Sequence, residues 1–296
     1  MPWRLLLSLV PALAAASGAA AQALSPAEIV AAAPESAWVE VPPEDLLVFD
    51  FDGGRRIVVA MAPQAAPTHV ANIRRLVADG WFARHAAIVR VQENYVVQWG
   101  DPTDKAELPT GLAKARDGYE QPGIPQAFRA LPFPDAYGAR VGHARGWAIA
   151  TDGTAHWLPH CPEMVGVGRD MPPDTGSGAE LYAVIGHGPR HLDRNIALVG
   201  RVVLGMELLS SLPRGSGPLG FYESGAERIP VRSARFAESL PPGERPRLAL
   251  LATNSDSFAA WVEARANRRD AFCVRPAGSA DICNLLPPAR RLMQPE

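Results

Sequence analysis

Arg90, Tyr95 and Gln98 sit in one short run, IVRVQENYVVQWGDPT, from Ile88 to Thr103. An arginine on a β-like run keeps its charge and presents a rigid fork of N–H donors. Such a fork can stabilise a lone pair or charge that develops only in a transition state, with no nucleophile, metal or redox centre. The other chemically capable residues are less well placed. His156 and His160 are four apart with Cys161 adjacent, and His187 and His191 repeat the interval. On a helix that spacing would put two imidazoles on one face, as in zinc sites. Pro159 interrupts the first pair, Gly188-Pro189 the second, and no glutamate follows either first histidine, so no metal and no cofactor is assigned. Gly215-Ser216-Gly217 lacks the strand–turn–helix frame of a nucleophile elbow. No phosphate-binding loop or dinucleotide fingerprint occurs.

The elements that must position Arg90 read as short strands. Leu46 to Phe51 and Arg55 to Ala62 flank Asp52-Gly53-Gly54, which predicts a β-hairpin. Pro67 opens a helix with Val70, Ile73, Leu76 and Val77 on one stripe, and Gly80 ends it. Further strands are expected over Ala86–Val91, Tyr95–Trp99, Gly146–Thr151, Glu180–Gly186, Leu198–Val203 and Arg228–Phe236, with a short helix over Met206–Leu212. Asp101 to Arg145 reads as loop. Many short strands, two helices and no βαβ rhythm predict a mainly β protein, an antiparallel barrel or sandwich. Ser255 to Arg269 predicts an amphipathic helix packed on the main domain, with Phe258, Trp261 and Val262 as its apolar stripe.

Compartment and partners follow from the ends and the charge. Met1-Pro2-Trp3-Arg4, the apolar run Leu5 to Ala16 and Ala19-Ala20-Ala21 fit a cleaved secretory signal over residues 1–21. The run is too short to span a bilayer, so no membrane association is expected after cleavage, and a periplasmic or secreted location follows. Net charge is −2 with acids and bases interspersed, which gives nucleic acid no basic stripe to meet. Of three cysteines, Cys273 and Cys283 flank a short Pro-Ala-Gly loop, and a disulfide is expected between them; Cys161 is left over. A monomer is the default.

The order of these segments resembles the cyclophilin-type peptidyl-prolyl isomerases. Arg90 matches the family's catalytic arginine, Tyr95 and Val96 its pocket phenylalanine and methionine, and Gln98 its substrate-contacting glutamine. Gly80-Trp81-Phe82 resembles a Gly-Phe-Tyr corner. Ala150 and Thr151 fall where an Ala-Asn strand end supplies backbone contacts, Gly178 to Tyr182 where Gly-Ser-Gln-Phe-Phe stands, and His191-Leu192-Asp193 where Trp-Leu-Asp stands. The resemblance covers roughly 46–236. It implies a closed antiparallel β-barrel with two flanking helices, preceded by a lead-in over 22–45 and followed by a helical extension over 237–296. It also implies catalysis by Arg90 and Gln98, with proline-containing polypeptides bound by Tyr95, Val96, Ala150, Thr151, Tyr182, His191 and Leu192.

Departures cluster around the pocket. Thr151 replaces asparagine, Glu180 glutamine and His191 tryptophan, while Ile196 stands where histidine is common. Insertions run from Pro102 to Arg145 and from Asp152 to Ser177. A cyclophilin-like peptide-binding module or chaperone of weak or no catalytic activity is the alternative expectation.

Overall fold

The computed structural model describes residues 23–115 and 119–293; the expected signal segment, 1–21, lies outside them. The segment expected as a plain lead-in carries its own elements. Helix α1 (Pro26–Ala32) starts at Ser25, whose side chain caps Glu28 while Glu28 answers to the Ser25 backbone. Strand β1 (Trp38–Glu40) follows.

The hairpin β2 (Leu46–Phe51) and β3 (Arg55–Met61) forms as the sequence predicts. Helix α2 (Pro67–Asp79) ends at Gly80 in the left-handed conformation, and a short α3 (Trp81–His85) turns the chain into β4 (Ala87–Val91) and β5 (Val96–Gly100). The stretch expected as loop then holds β6 (Gln121–Pro122), β7 (Arg129–Ala130) and β8 (Arg140–Ala144). After it come β9 (Trp147–Thr151), β10 (Ala155–Trp157), β11 (Met164–Val167), β12 (Leu181–Val184) and β13 (Leu198–Leu204). Helix α4 (Met206–Ser210), β14 (Ile229–Phe236), β15 (Leu248–Leu251), α5 (Asp256–Ala266) and β16 (Ala289–Arg291) complete the chain.

Eight strands close into an antiparallel barrel in the order β11-β12-β5-β4-β14-β2-β3-β13. Period-2 alternation sends Leu47, Phe49, Phe51, Ile57, Val59, Val97, Trp99, Leu181 and Ala183 inward. Phe49 meets Phe82 and Trp99 edge-on, with ring centroids 5.3 and 5.5 Å apart. Val70, Ile73 and Leu76 of α2 and Leu209 of α4 pack into the same cluster.

One barrel strand is not the expected one. Gly146–Thr151 was the sequence's candidate, but β9 lies in a separate five-stranded sheet, β6-β10-β9-β8-β7, whose other four strands come from the insertions. The place beside β12 belongs to β11, inside the segment read as insertion. The tight β8–β9 connection at Arg145-Gly146 explains the exchange. It folds β9 back on β8, and β10 then covers its other edge.

The two ends of the chain meet. Strand β15 pairs with β1 on one side and β16 on the other, and α1 packs on α5. The extension is therefore helix plus sheet, and the lead-in supplies one of its strands. The disulfide expectation is corrected here. Cys283 bonds to Cys161, with Cα atoms 4.9 Å apart and a sequence separation of 122, and Cys273 is a free thiol. Burial decides the pairing. Ile282 and Leu285 bury on either side of Cys283 and carry it to the fully buried Cys161, whereas Phe272 and Val274 leave Cys273 on an exposed turn. Among the described residues no helix is long and apolar enough to cross a membrane.

Candidate active site

Arg90 projects from the outer face of β4, paired across to Gln98 on β5. Its Nη1 donates to Gln98 Oε1 at 3.0 Å, and its Nη2 donates to Gln92 Oε1. Its Nε donates to the Leu219 carbonyl at 2.7 Å. Leu219 holds φ at 57°, a costly backbone for a non-glycine residue. The turn Pro218–Gly220 thereby presents a carbonyl to the guanidinium. The guanidinium carbon lies 5.5 Å from the Tyr95 ring centre and 5.2 Å from that of Phe221. Burial pulls the Arg90 pKa down, opposed by Tyr95 and Glu180, and arginine stays cationic across the working range. With five N–H groups on a guanidinium, donors on both terminal nitrogens remain for a ligand.

Gln98 is buried and donates its Nε2–H to the Glu180 carboxylate. Tyr182 sits opposite Gln98 in the β12–β5 register, and Val184 opposite Val96. Both Tyr182 and Val96 are buried in an apolar cluster with Trp157, Leu158 and Cys161, and half-buried Tyr95 and Ile196 pack on it. The Tyr182 ring lies over Gly166 of β11, where any Cβ would collide with it. Burial pushes the Tyr182 phenol far above its usual value, and its hydroxyl is 2.9 Å from His160 Nε2. His191 and Leu192 close a 3-10 turn over Gly188–Leu192. The His191 ring stacks on Tyr95, with centroids 6.3 Å apart and 12° between planes.

The fold thus gathers Arg90, Gln98, Tyr95 and His191 on one face, with Val96 and Tyr182 beneath. Ala150 and Thr151 lie in β9, outside the barrel, although Ala150 shares the apolar cluster of Val96 and Tyr182. Both are fully buried in β9, where the Thr151 hydroxyl donates to the Ala155 carbonyl. The strand beside β12 ends instead at Val167-Gly168-Arg169. Four contributors escaped sequence reasoning. Gln92 and Glu180 lay in view as polar residues without a role; Leu219 and Phe221 reach Arg90 only because β14 follows β4 around the barrel. His160, weighed as a metal ligand, spends both ring nitrogens on Asp193 and Tyr182. The large cavity of about 1540 Å³ beside Trp147 and Trp157 is bounded by neither Arg90 nor Gln98.

Comparisons with known proteins give the family and the fold. Residues 47–231 match the model of the cyclophilin type peptidyl-prolyl cis-trans isomerase family. A probable peptidyl-prolyl cis-trans isomerase of Brucella suis is 26% identical over 191 residues, covering 64% of this chain and 79% of that protein. One of Brucella abortus strain 2308 matches to the same extent. The crystal structure of cyclophilin AquaCyp293 from Hirschia baltica superposes with a TM-score of 0.67 at 23% identity, covering 88% of this chain and 95% of that one, which is a likeness of fold. The chain belongs to the cyclophilin-type peptidyl-prolyl cis-trans isomerase family, and its activity is isomerisation of prolyl peptide bonds.

Proposed function

We propose that Arg90 is the group that lowers the rotation barrier. Amide resonance sets that barrier at about 18–20 kcal/mol, while cis and trans X-Pro forms lie close in energy and exchange slowly. As the bond twists, the prolyl nitrogen becomes pyramidal and regains a lone pair. An N–H of Arg90 directed at that nitrogen bonds to the lone pair only in the twisted state, so it stabilises the transition state selectively. The arrangement that supports this is the guanidinium fixed by Gln98 and the Leu219 carbonyl between Tyr95 and Phe221. Tyr95, Val96, Tyr182, His191 and Leu192 form the apolar side that receives the proline ring, and Gln98 holds the peptide backbone.

The protein acts as a monomer on proline-containing polypeptides after export to the periplasm or beyond, assisting their folding. The positive, apolar and small-residue order of 1–21 supports export, and the Cys161–Cys283 disulfide suits an oxidising compartment. The test is a prolyl-peptide isomerisation assay on wild type and Arg90→Ala. A loss of about 10²-fold or more in kcat/KM is expected from removing one transition-state donor; equal rates overturn the assignment. The burial of Val96 and Tyr182 favours, as a second reading, a module that binds proline peptides with little turnover. Peptide binding with no wild-type isomerisation would select it.

A further inference from the structure

The hydrogen-bonding groups around Gln98 leave its amide a single orientation. Arginine only donates and an ionised carboxylate only accepts. Gln98 lies between Arg90 on β4 and Glu180 at the start of β12, so its oxygen must face Arg90 and its NH2 must face Glu180. The slot that holds Glu180 is shaped for it. Gly100 and Gly168 flank the side chain from β5 and from the end of β11, and a Cβ at Gly168 would run into the carboxylate.

We infer that Glu180 is a positioning residue for isomerisation: its ionised carboxylate locks the Gln98 amide, and through it Arg90, in the catalytically competent orientation. This rests on the assignment of Arg90 above. A glutamine at 180 would offer both a donor and an acceptor and could satisfy Gln98 either way round. A protonated Glu180 could donate to Gln98 Oε1, drawing that oxygen off Arg90 and turning an NH2 toward the guanidinium, where two donors repel. The lock therefore opens on protonation. Burial raises the Glu180 pKa, the Gln98 hydrogen bond opposes that, Asp104 and Asp170 raise it further and Arg90 lowers it. The net shift is upward, so the lock opens at a higher pH than an ordinary carboxyl would allow.

The experiment pairs kinetics with a spectroscopic readout on the full chain. The side-chain NH2 resonances of Gln98 are followed by NMR from about pH 4 to pH 8, and kcat and KM for a neutral proline peptide are measured over the same range, for wild type and Glu180→Gln. In wild type the Gln98 resonances should titrate along one curve with its midpoint above the usual glutamate value, and kcat should fall along it while KM holds. Glu180→Gln should abolish that titration, flatten the kcat profile and lower kcat about tenfold at neutral pH through misplacement of the donor. Gln98 resonances that do not respond, or a profile that Glu180→Gln leaves unchanged, overturn the inference. A wild type that titrates in this way yet turns over at no pH sinks the catalytic role of Arg90 while leaving the lock in place.

Discussion

The Tyr182 hydroxyl and His160 Nε2 lie 2.9 Å apart in a fully buried pair that joins barrel strand β12 to the insertion. The other ring nitrogen, Nδ1, is 3.1 Å from Asp193 Oδ1. A carboxylate can only accept, so Nδ1–H donates to Asp193 and the neutral Nε2 accepts the phenol proton. Burial holds the His160 pKa below its usual value despite Asp193. Asp193 also accepts from Trp157 Nε1 at 3.2 Å and Arg190 Nε at 2.8 Å, and Arg190 forks onto Asp135 at 2.9 and 3.0 Å. Burial alone would raise Asp193, but these donors hold it below the ordinary carboxylate range. A buried phenol in the pocket wall thus finds its partner in the insertion.

Removing the hub of this network should be expensive. Asp193→Ala leaves Arg190 Nε, His160 Nδ1 and Trp157 Nε1 as buried donors without an acceptor, while Asp135 still pairs the Arg190 charge, and should lower the unfolding free energy by about 3–5 kcal/mol. Tyr182→Phe removes a single donor and should cost about 1–3 kcal/mol. Urea unfolding followed by tryptophan fluorescence measures both, and equal small losses would contradict the hub role of Asp193.

Arg90→Lys tests geometry apart from charge. Lysine keeps the positive charge but cannot reproduce the fork that reaches Gln98, Gln92 and Leu219 together. Activity on a proline peptide should fall about 10²-fold, with a melting temperature within a few degrees of wild type, about what a change of 1 kcal/mol produces. Near wild-type turnover would show that charge alone suffices.

Reduction of Cys161–Cys283 should weaken the whole molecule. A loop with a sequence separation of 122 corresponds to roughly 5 kcal/mol in the chain-entropy model. Cys161→Ser and added dithiothreitol should give similar, non-additive losses, and Cys273→Ser should give none. Thiol labelling of the oxidised, denatured chain should find one reactive cysteine, at Cys273.

Stability should also decline in mild acid. His143 is buried, its Nε2–H donating to the Leu285 carbonyl at 2.7 Å, and burial lowers its pKa from 6.5 to about 4. Between those values the unfolded chain takes up a proton that the folded chain refuses. The stabilisation is complete above pH 6.5 and is lost as pH falls through about 4, by up to roughly 3 kcal/mol. His69 and His160 shift in the same direction. Denaturant titrations at successive pH values should show the slope, reduced in His143→Gln; an unchanged slope would remove His143 as a cause.

The features legible in the chain alone were local and periodic. The β2–β3 hairpin, α2 with its Gly80 terminus, the Arg90–Gln98 pair and the α5 stripe are each written in neighbouring residues, because turn chemistry, period-2 alternation and helical spacing act over a few positions. Tertiary structure decided whatever depended on distant segments. Gly146–Thr151 reads as a strand and forms one, but hairpin closure onto β8 keeps it outside the barrel, and Met164–Val167, inside the segment read as insertion, takes the place beside β12. Cysteine pairing likewise went to Cys161, far along the chain, because burial around Ile282 and Leu285 carries Cys283 there. Arg90 was legible as a residue, but its setting was not. The Leu219 carbonyl, the Phe221 ring and the Glu180 carboxylate reach it or its partner Gln98 from the segments that lead into the flanking strands β14 and β12, and no local pattern encodes a contact that barrel closure creates.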